Sequence, residues 1–244
     1  RGGSFMAMLN NAPNLVVLSL NTNFMKINNS KPVADDCGQL DWLESKLIEA
    51  EEQHQGVFIV GHIPPNIDNQ PSGPTQIWVP QYQERFWKLL DVHSSVIKAV
   101  VYGHRHTEET YIGSPVLTMN CGAISPVYNN NPNFRVVQYH RTTGDITDWS
   151  QVYTDLYQSN VYNRAEWKIA YSFSQAYPGF MSSSGTITAS SMEQLTKCVL
   201  ENNAEATLWT ARRLGMLGQF DKTSYCFMAA GQSVSDFNNC INNI

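Results

Sequence analysis

A chain of 244 residues, 42% of them hydrophobic, is long enough to bury a sizeable core. Its 16 Lys plus Arg against 21 Asp plus Glu, a net charge of −5 and the lack of any basic run exclude the electrostatics of a nucleic-acid reader. The apolar runs are strand-sized, well short of the ~20 residues of a membrane helix, and RGGSFMAML at the start lacks the basic-then-apolar pattern of a targeting segment.

In chain order, NLVVLSLNT (14–22) is a near-continuous aliphatic run, the pattern of a strand buried on both faces. Asn28-Asn29-Ser30 matches the glycosylation acceptor pattern at Asn28. Residues 35–54 place Leu40, Leu43 and Leu47 at helical spacing, with Asp35 and Asp36 ahead of the first turn as cap candidates. VFIVGH (57–62) is the next buried strand, so strand, helix and strand follow one another as in layered α/β folds. The proline-rich stretch 63–79 reads as a surface loop. A helix is expected at 80–93 and another buried strand at 96–104. Short strands at 114–120, 133–140 and 146–154, separated by Gly, Asn and Pro turns, give a β-rich meander.

Beyond residue 155 the pattern turns helical, in AEWKIAYSFSQAY, SMEQLTKCVLENN and EATLWTARRLGML. Residues 1–154 and 155–244 are therefore expected to be separate units, the second a helical subdomain. Five cysteines form neither a dense disulfide framework nor a CxxC metal site. Three lie in the tail, where a disulfide would contribute most; Cys226 with Cys240 is the preferred pair, and Cys198 is left unassigned. Sparse Lys, abundant Asn and these features lean towards an exported protein.

Chemistry gathers at two strand ends. FIVGH ends at Gly61-His62 and VVYGH at Gly103-His104, with His106 two residues on. In layered α/β sheets such loops carry ligand-binding groups, and glycine there lets the backbone turn sharply. In an extended strand His104 and His106 would face opposite sides. They can serve one centre only if the chain has left the strand or the site is extended, as a pair of metal ions would be. Imidazole is a frequent ligand of zinc and similar ions. Against this stands the ordinary reading of each histidine as a hydrogen-bonded structural residue.

GHIPP (61–65), followed by YGHRHTEE (102–109), resembles the last two motifs of the calcineurin-like metallophosphoesterases. SLNTNF (19–24), GQLDWLESKL (38–47) and ISPVYNNNPNFRVVQY (124–139) extend the resemblance to the acid sphingomyelinase group within that superfamily. The resemblance implies an α/β fold, the second half of a β-sandwich flanked by helices, followed by a helical C-terminal subdomain. It makes His62 and His104 ligands of one metal ion and His106 a ligand of another, with two zinc ions in the complete site. It implies phosphodiester hydrolysis, with sphingomyelin cleaved to ceramide and phosphocholine as the first reading and a nucleotide or other small phosphoester as the alternative. A secreted or lysosomal location and membrane-surface contact go with it.

The family's GDxH, GDxxD and GNH[DE] motifs, which supply the remaining ligands and the histidine that protonates the leaving oxygen, normally precede the region that resembles residue 1; neither GDxH nor GNH[DE] occurs in this sequence, and GDITD (144–148), which fits GDxxD by letter, lies beyond the histidine motifs instead of ahead of them. The resemblance therefore implies a partner, an N-terminal segment of the same enzyme that carries them. The remaining possibility is a non-catalytic fragment that needs that partner. Tyr128, Asn131 and Arg105 are the candidate substrate contacts, Arg105 as a phosphate ligand, and Trp78 with Tyr82 could face a choline group by cation–π attraction. Turn chemistry and ordinary packing explain the same residues almost as well.

Overall fold

The computed structural model describes residues 2–27, 37–70, 73–216, 222–230 and 232–243. The acceptor Asn28 and the cap candidates Asp35 and Asp36 lie outside the described residues.

The strands are β1 (Phe5–Leu9), β2 (Ala12–Ser19), β3 (Gly56–Val60), β4 (Ile67–Gln70), β5 (Gly73–Gln76), β6 (Ile97–Tyr102), β7 (Glu109–Thr110), β8 (Thr118–Asn120), β9 (Asn133–Tyr139), β10 (Ile146–Thr154) and β11 (Trp167–Ser172). The helices are α1 (Gln39–Glu52), α2 (Pro80–Val92), α3 (Leu156–Tyr162), α4 (Phe173–Ala176), α5 (Ala189–Glu201), α6 (Asn203–Arg213), α7 (Lys222–Ala230) and α8 (Val234–Asn243). One sheet has the order β1-β2-β3-β6-β8-β7. Its interior pairs β2–β3, β3–β6 and β6–β8 are parallel, and β1 and β7 are antiparallel edges. A second, antiparallel sheet has the order β11-β10-β9.

The two faces of the large sheet bury different partners. On one, Val16, Leu18, Val57 and Ile59 meet Leu40, Leu43 and Leu47 of α1 and Phe86, Leu89 and Leu90 of α2, the apolar stripes that helical spacing supplies. On the other, Ala99, Leu117 and Met119 meet Trp149 and Ile146 of the second sheet and the apolar sides of α5 to α8. Strand β6 can serve both because of a bulge. Val57 pairs with Ile97 but Phe58 with Ala99, so Lys98 is the extra residue, and Ile97 and Ala99 fall in opposite cores although two positions apart. The expected sandwich of sheets flanked by helices is thus the architecture observed.

Three expectations change. The stretch 63–79 does not run along the surface: residues 63–67 are buried, and the hairpin β4–β5 follows. Prolines 64 and 65 have no N–H to leave unsatisfied on burial, and Ile63, Ile67, Ile77 and Trp78 anchor the segment in the core. Trp78 and Tyr82 are themselves core residues, Trp78 donating its indole N–H to the Ile63 carbonyl at 3.1 Å, so neither presents a face to a cation. Finally, the expected helix at 165–177 begins instead as strand β11, which pairs along β10 and completes the second sheet. Trp167, Ile169 and Tyr171 alternate along it, and pairing with β10 outweighs its helical look. Residues 155–244 therefore share a sheet with the segment before them. In the tail, Cys226 and Cys240 form a disulfide joining α7 to α8.

Candidate metal centre

The parallel strands β3 and β6 lie side by side and deliver His62 and His104 from their carboxyl ends. The two rings meet edge to face with centroids 5.2 Å apart. Gly103 lies against the His62 ring, where a Cβ would make ordinary contact 3.4 Å from Nδ1, and the glycine N–H donates to the His62 carbonyl at 3.0 Å. From the other side Thr22 fixes the loop, its Oγ1 accepting from the backbone N–H groups of His62 at 3.1 Å and Ile63 at 2.7 Å.

Strand geometry stops before the second pair of histidines. β6 ends at Tyr102, and the Arg105 N–H donates to the Gly103 carbonyl at 2.9 Å around a φ of +73° at His104, a γ-turn. His106 is also left-handed, at φ +60°. Such backbone costs about 1–3 kcal/mol per residue outside glycine and persists only where its surroundings over-determine it. The alternation that would send His104 and His106 to opposite faces therefore no longer applies. His106 packs instead against Tyr128, with ring centroids 4.8 Å apart.

Burial lowers the pKa of His104, reinforced by the nearby charges of His62 and Lys26, so its imidazole is held neutral, the form that binds metal. Nδ1 of His106 is buried with no hydrogen-bond partner. These features suit nitrogen ligation of an ion such as zinc. They do not complete a site: among the described residues no three His, Cys, Asp or Glu side chains converge closely enough to hold a metal ion.

The candidate substrate residues separate. Tyr128 is exposed beside His106, in a loop whose Ile124 and Val127 are exposed as well. Asn131 is buried and committed to backbone, Nδ2 donating to the Gly215 carbonyl at 2.9 Å and Oδ1 accepting from the Leu156 N–H at 3.0 Å. Arg105 turns inward, Nε donating to Glu109 at 2.9 Å and Nη1 to Asp68 at 3.3 Å. Glu108 and Glu109 are both buried. Glu108 pairs with Arg135 and accepts from the Tyr171 hydroxyl at 2.8 Å. Burial pushes the Glu109 carboxyl up, but Arg105 and Arg213 outweigh it and leave Glu109 below its ordinary value.

Sequence reasoning did not single out Thr22, Arg213 or Asn120, whose Nδ2 donates to the Thr107 carbonyl at 2.8 Å. Of these, only Thr22 lay inside a stretch whose resemblance drew notice.

The model of the acid sphingomyelin phosphodiesterase C-terminal region matches residues 109–184, which take in Tyr128, Asn131 and strands β9 to β11. A Dictyostelium discoideum protein, Sphingomyelinase phosphodiesterase D, is 34% identical over 176 residues, 67% of this chain and 40% of its own. The chain belongs to the acid sphingomyelinase-like family. Other relatives with that likeness are the Homo sapiens Cyclic GMP-AMP phosphodiesterase SMPDL3A, 30% identical over 72% of this chain and 42% of its own, and the Homo sapiens Acid sphingomyelinase-like phosphodiesterase 3b, 29% identical over 66% and 39%. The chain thus spans about two fifths of the length of these acid sphingomyelinase-like relatives.

Proposed function

We propose that this chain supplies part of the catalytic centre of a metal-dependent phosphodiesterase. The observation that carries the reading is the convergence of His62 and His104 at adjacent parallel strand ends, with His106 held close by in a strained turn. Divalent ions bound by such a centre would neutralise phosphate charge and lower the pKa of a bound water. His62, His104 and His106 would be the ligands from this chain, with zinc the ion that imidazole donors suit. The remaining ligands and the leaving-group acid would come from an N-terminal partner segment. Tyr128 would form an aromatic wall beside the reacting phosphate. Its loop is closed by Asn130, which donates to the carbonyls of Ala123, Ser125 and Asn131.

The substrate proposed first is sphingomyelin, cleaved to ceramide and phosphocholine at a membrane surface; the exposed Ile124, Val127 and Tyr128 suit a lipid. A nucleotide phosphodiester is the second reading, favoured by the relative named for cyclic GMP-AMP and by the same tyrosine, on which a base could stack. Among the described residues no helix is long and apolar enough to cross a membrane. The disulfide between Cys226 and Cys240 supports an oxidising compartment, hence a secreted or lysosomal location.

Turnover of sphingomyelin in detergent micelles and of cyclic GMP-AMP, by protein assembled with its partner segment, tests both. Zinc-dependent cleavage of sphingomyelin is expected, and Tyr128→Ala should raise KM for the preferred substrate more than it lowers kcat. Cleavage of cyclic GMP-AMP alone selects the second reading, and cleavage of neither overturns the proposal.

A further inference from the structure

The helical C-terminal segment meets the histidine loop at residues 213–215. The Arg213 carbonyl accepts from the Glu108 N–H at 2.9 Å and the Leu214 carbonyl from the Asn131 N–H at 3.0 Å. The Gly215 carbonyl takes the Asn131 side chain, as described above. Gly215 is required here: at φ +67° a Cβ would lie 3.1 Å from both Asn131 Cβ and its carbonyl oxygen. One end of α6 is thereby tied to both the loop that carries the histidines and the loop that carries Tyr128.

Side chains continue the connection. The Arg213 guanidinium, only 6% exposed, donates to Glu109 Oε1 at 2.6 Å and to Thr107 Oγ1 at 3.3 Å. The Glu109 side chain is fully buried, and its other oxygen accepts from Arg105 Nε at 2.9 Å and from the Tyr111 hydroxyl at 3.2 Å. Each carboxylate oxygen thus holds one guanidinium. Arg105 is the residue between His104 and His106, both of which have left-handed backbone that only surrounding contacts can maintain. Without Arg213, Glu109 Oε1 would keep the Thr107 hydroxyl but lose its guanidinium in a buried setting, and the balance that fixes Arg105 would be lost.

We propose that Arg213 is a positioning residue: through Glu109 and Arg105 it sets the turn that aims His104 and His106. The positioning is a property of the fold, and only its effect on metal binding and turnover rests on the phosphodiesterase reading. Groups that orient metal ligands from outside the ligand shell typically change affinity or activity by about 10–100-fold when removed.

The test compares Arg213→Met and Arg213→Lys with Arg212→Met. Arg212 lies on the same turn but pairs with Glu205 and Tyr177 instead of Glu109. Histidine-selective NMR reads ring geometry in the metal-free protein, zinc competition reads affinity, and thermal unfolding controls for general damage. Arg213→Met should displace the His104 and His106 resonances and weaken zinc by about 10–100-fold. Arg213→Lys, which keeps the charge but loses the fork, should show a smaller loss in the same direction. It carries the comparison if the methionine variant does not fold. Arg212→Met should lower the unfolding temperature with neither effect. Unchanged histidine resonances in both Arg213 variants, or equal displacement by Arg212→Met, overturn the proposal. Resonances that move in a protein that binds no zinc and cleaves no phosphodiester uphold the positioning and sink the phosphodiesterase reading.

Discussion

Replacing His104 by alanine is expected to lower phosphodiester turnover by at least ~100-fold, the upper end of what removal of a mere supporting group costs. The fold should survive, because the ring is partly exposed at a strand end and lies outside both apolar cores. Removing the imidazole also leaves intact the pairing of β6 with β3 and β8, so unfolding should stay cooperative. His62→Ala should behave alike, since its ring lies against His104. The check is kcat with matched unfolding curves; a His104→Ala protein that keeps its turnover would remove the histidine pair from the mechanism. Since burial already disfavours the protonated form of His104, mild acid should displace metal from this ligand less readily than from a histidine with an ordinary pKa.

Replacing Glu109 by alanine should have the largest effect on stability. It strands the buried guanidiniums of Arg105 and Arg213 without their shared carboxylate, a loss of roughly 3–5 kcal/mol for a broken buried pair. For a domain of this size that is a fall of roughly 6–20 °C in Tm. The pH dependence has a definite sign. The folded pKa of Glu109 is below its ordinary value of 4.5, so the unfolded chain takes up a proton first as pH falls. The stabilisation is complete above about 4.5 and is lost as pH drops from there through the lowered folded value. Thermal unfolding scanned across that window should show the Glu109 variant less sensitive to acid than the parent. Equal acid sensitivity in the two would argue that Glu109 is not held as an anion.

The parts legible in the sequence were those written in local periodicity. The leucine spacing of α1, the aliphatic runs of β3 and β6 and the two Gly-His strand ends all lie within windows of a few residues. Strand β11 was not legible, because its conformation follows from pairing with β10. Nor was the role of Arg105 legible: a cation beside two histidines reads as a phosphate contact until Glu109 and Asp68 are placed around it. The Arg213–Glu109 pair spans 104 positions, and no spacing rule reaches that far. The same holds for Asn131, whose turn-like neighbourhood concealed a clasp on Gly215, 84 positions away. Sequence thus exposed the candidate histidines, while the contacts around their loop became visible only in three dimensions.

Elemental analysis of protein purified with its partner segment addresses the assignment of His62, His104 and His106 most directly. The parent should carry bound divalent metal, zinc foremost, and the variant with all three histidines replaced by alanine should lose it while retaining its disulfide and its cooperative unfolding. A folded triple variant with its metal content intact would contradict the assignment.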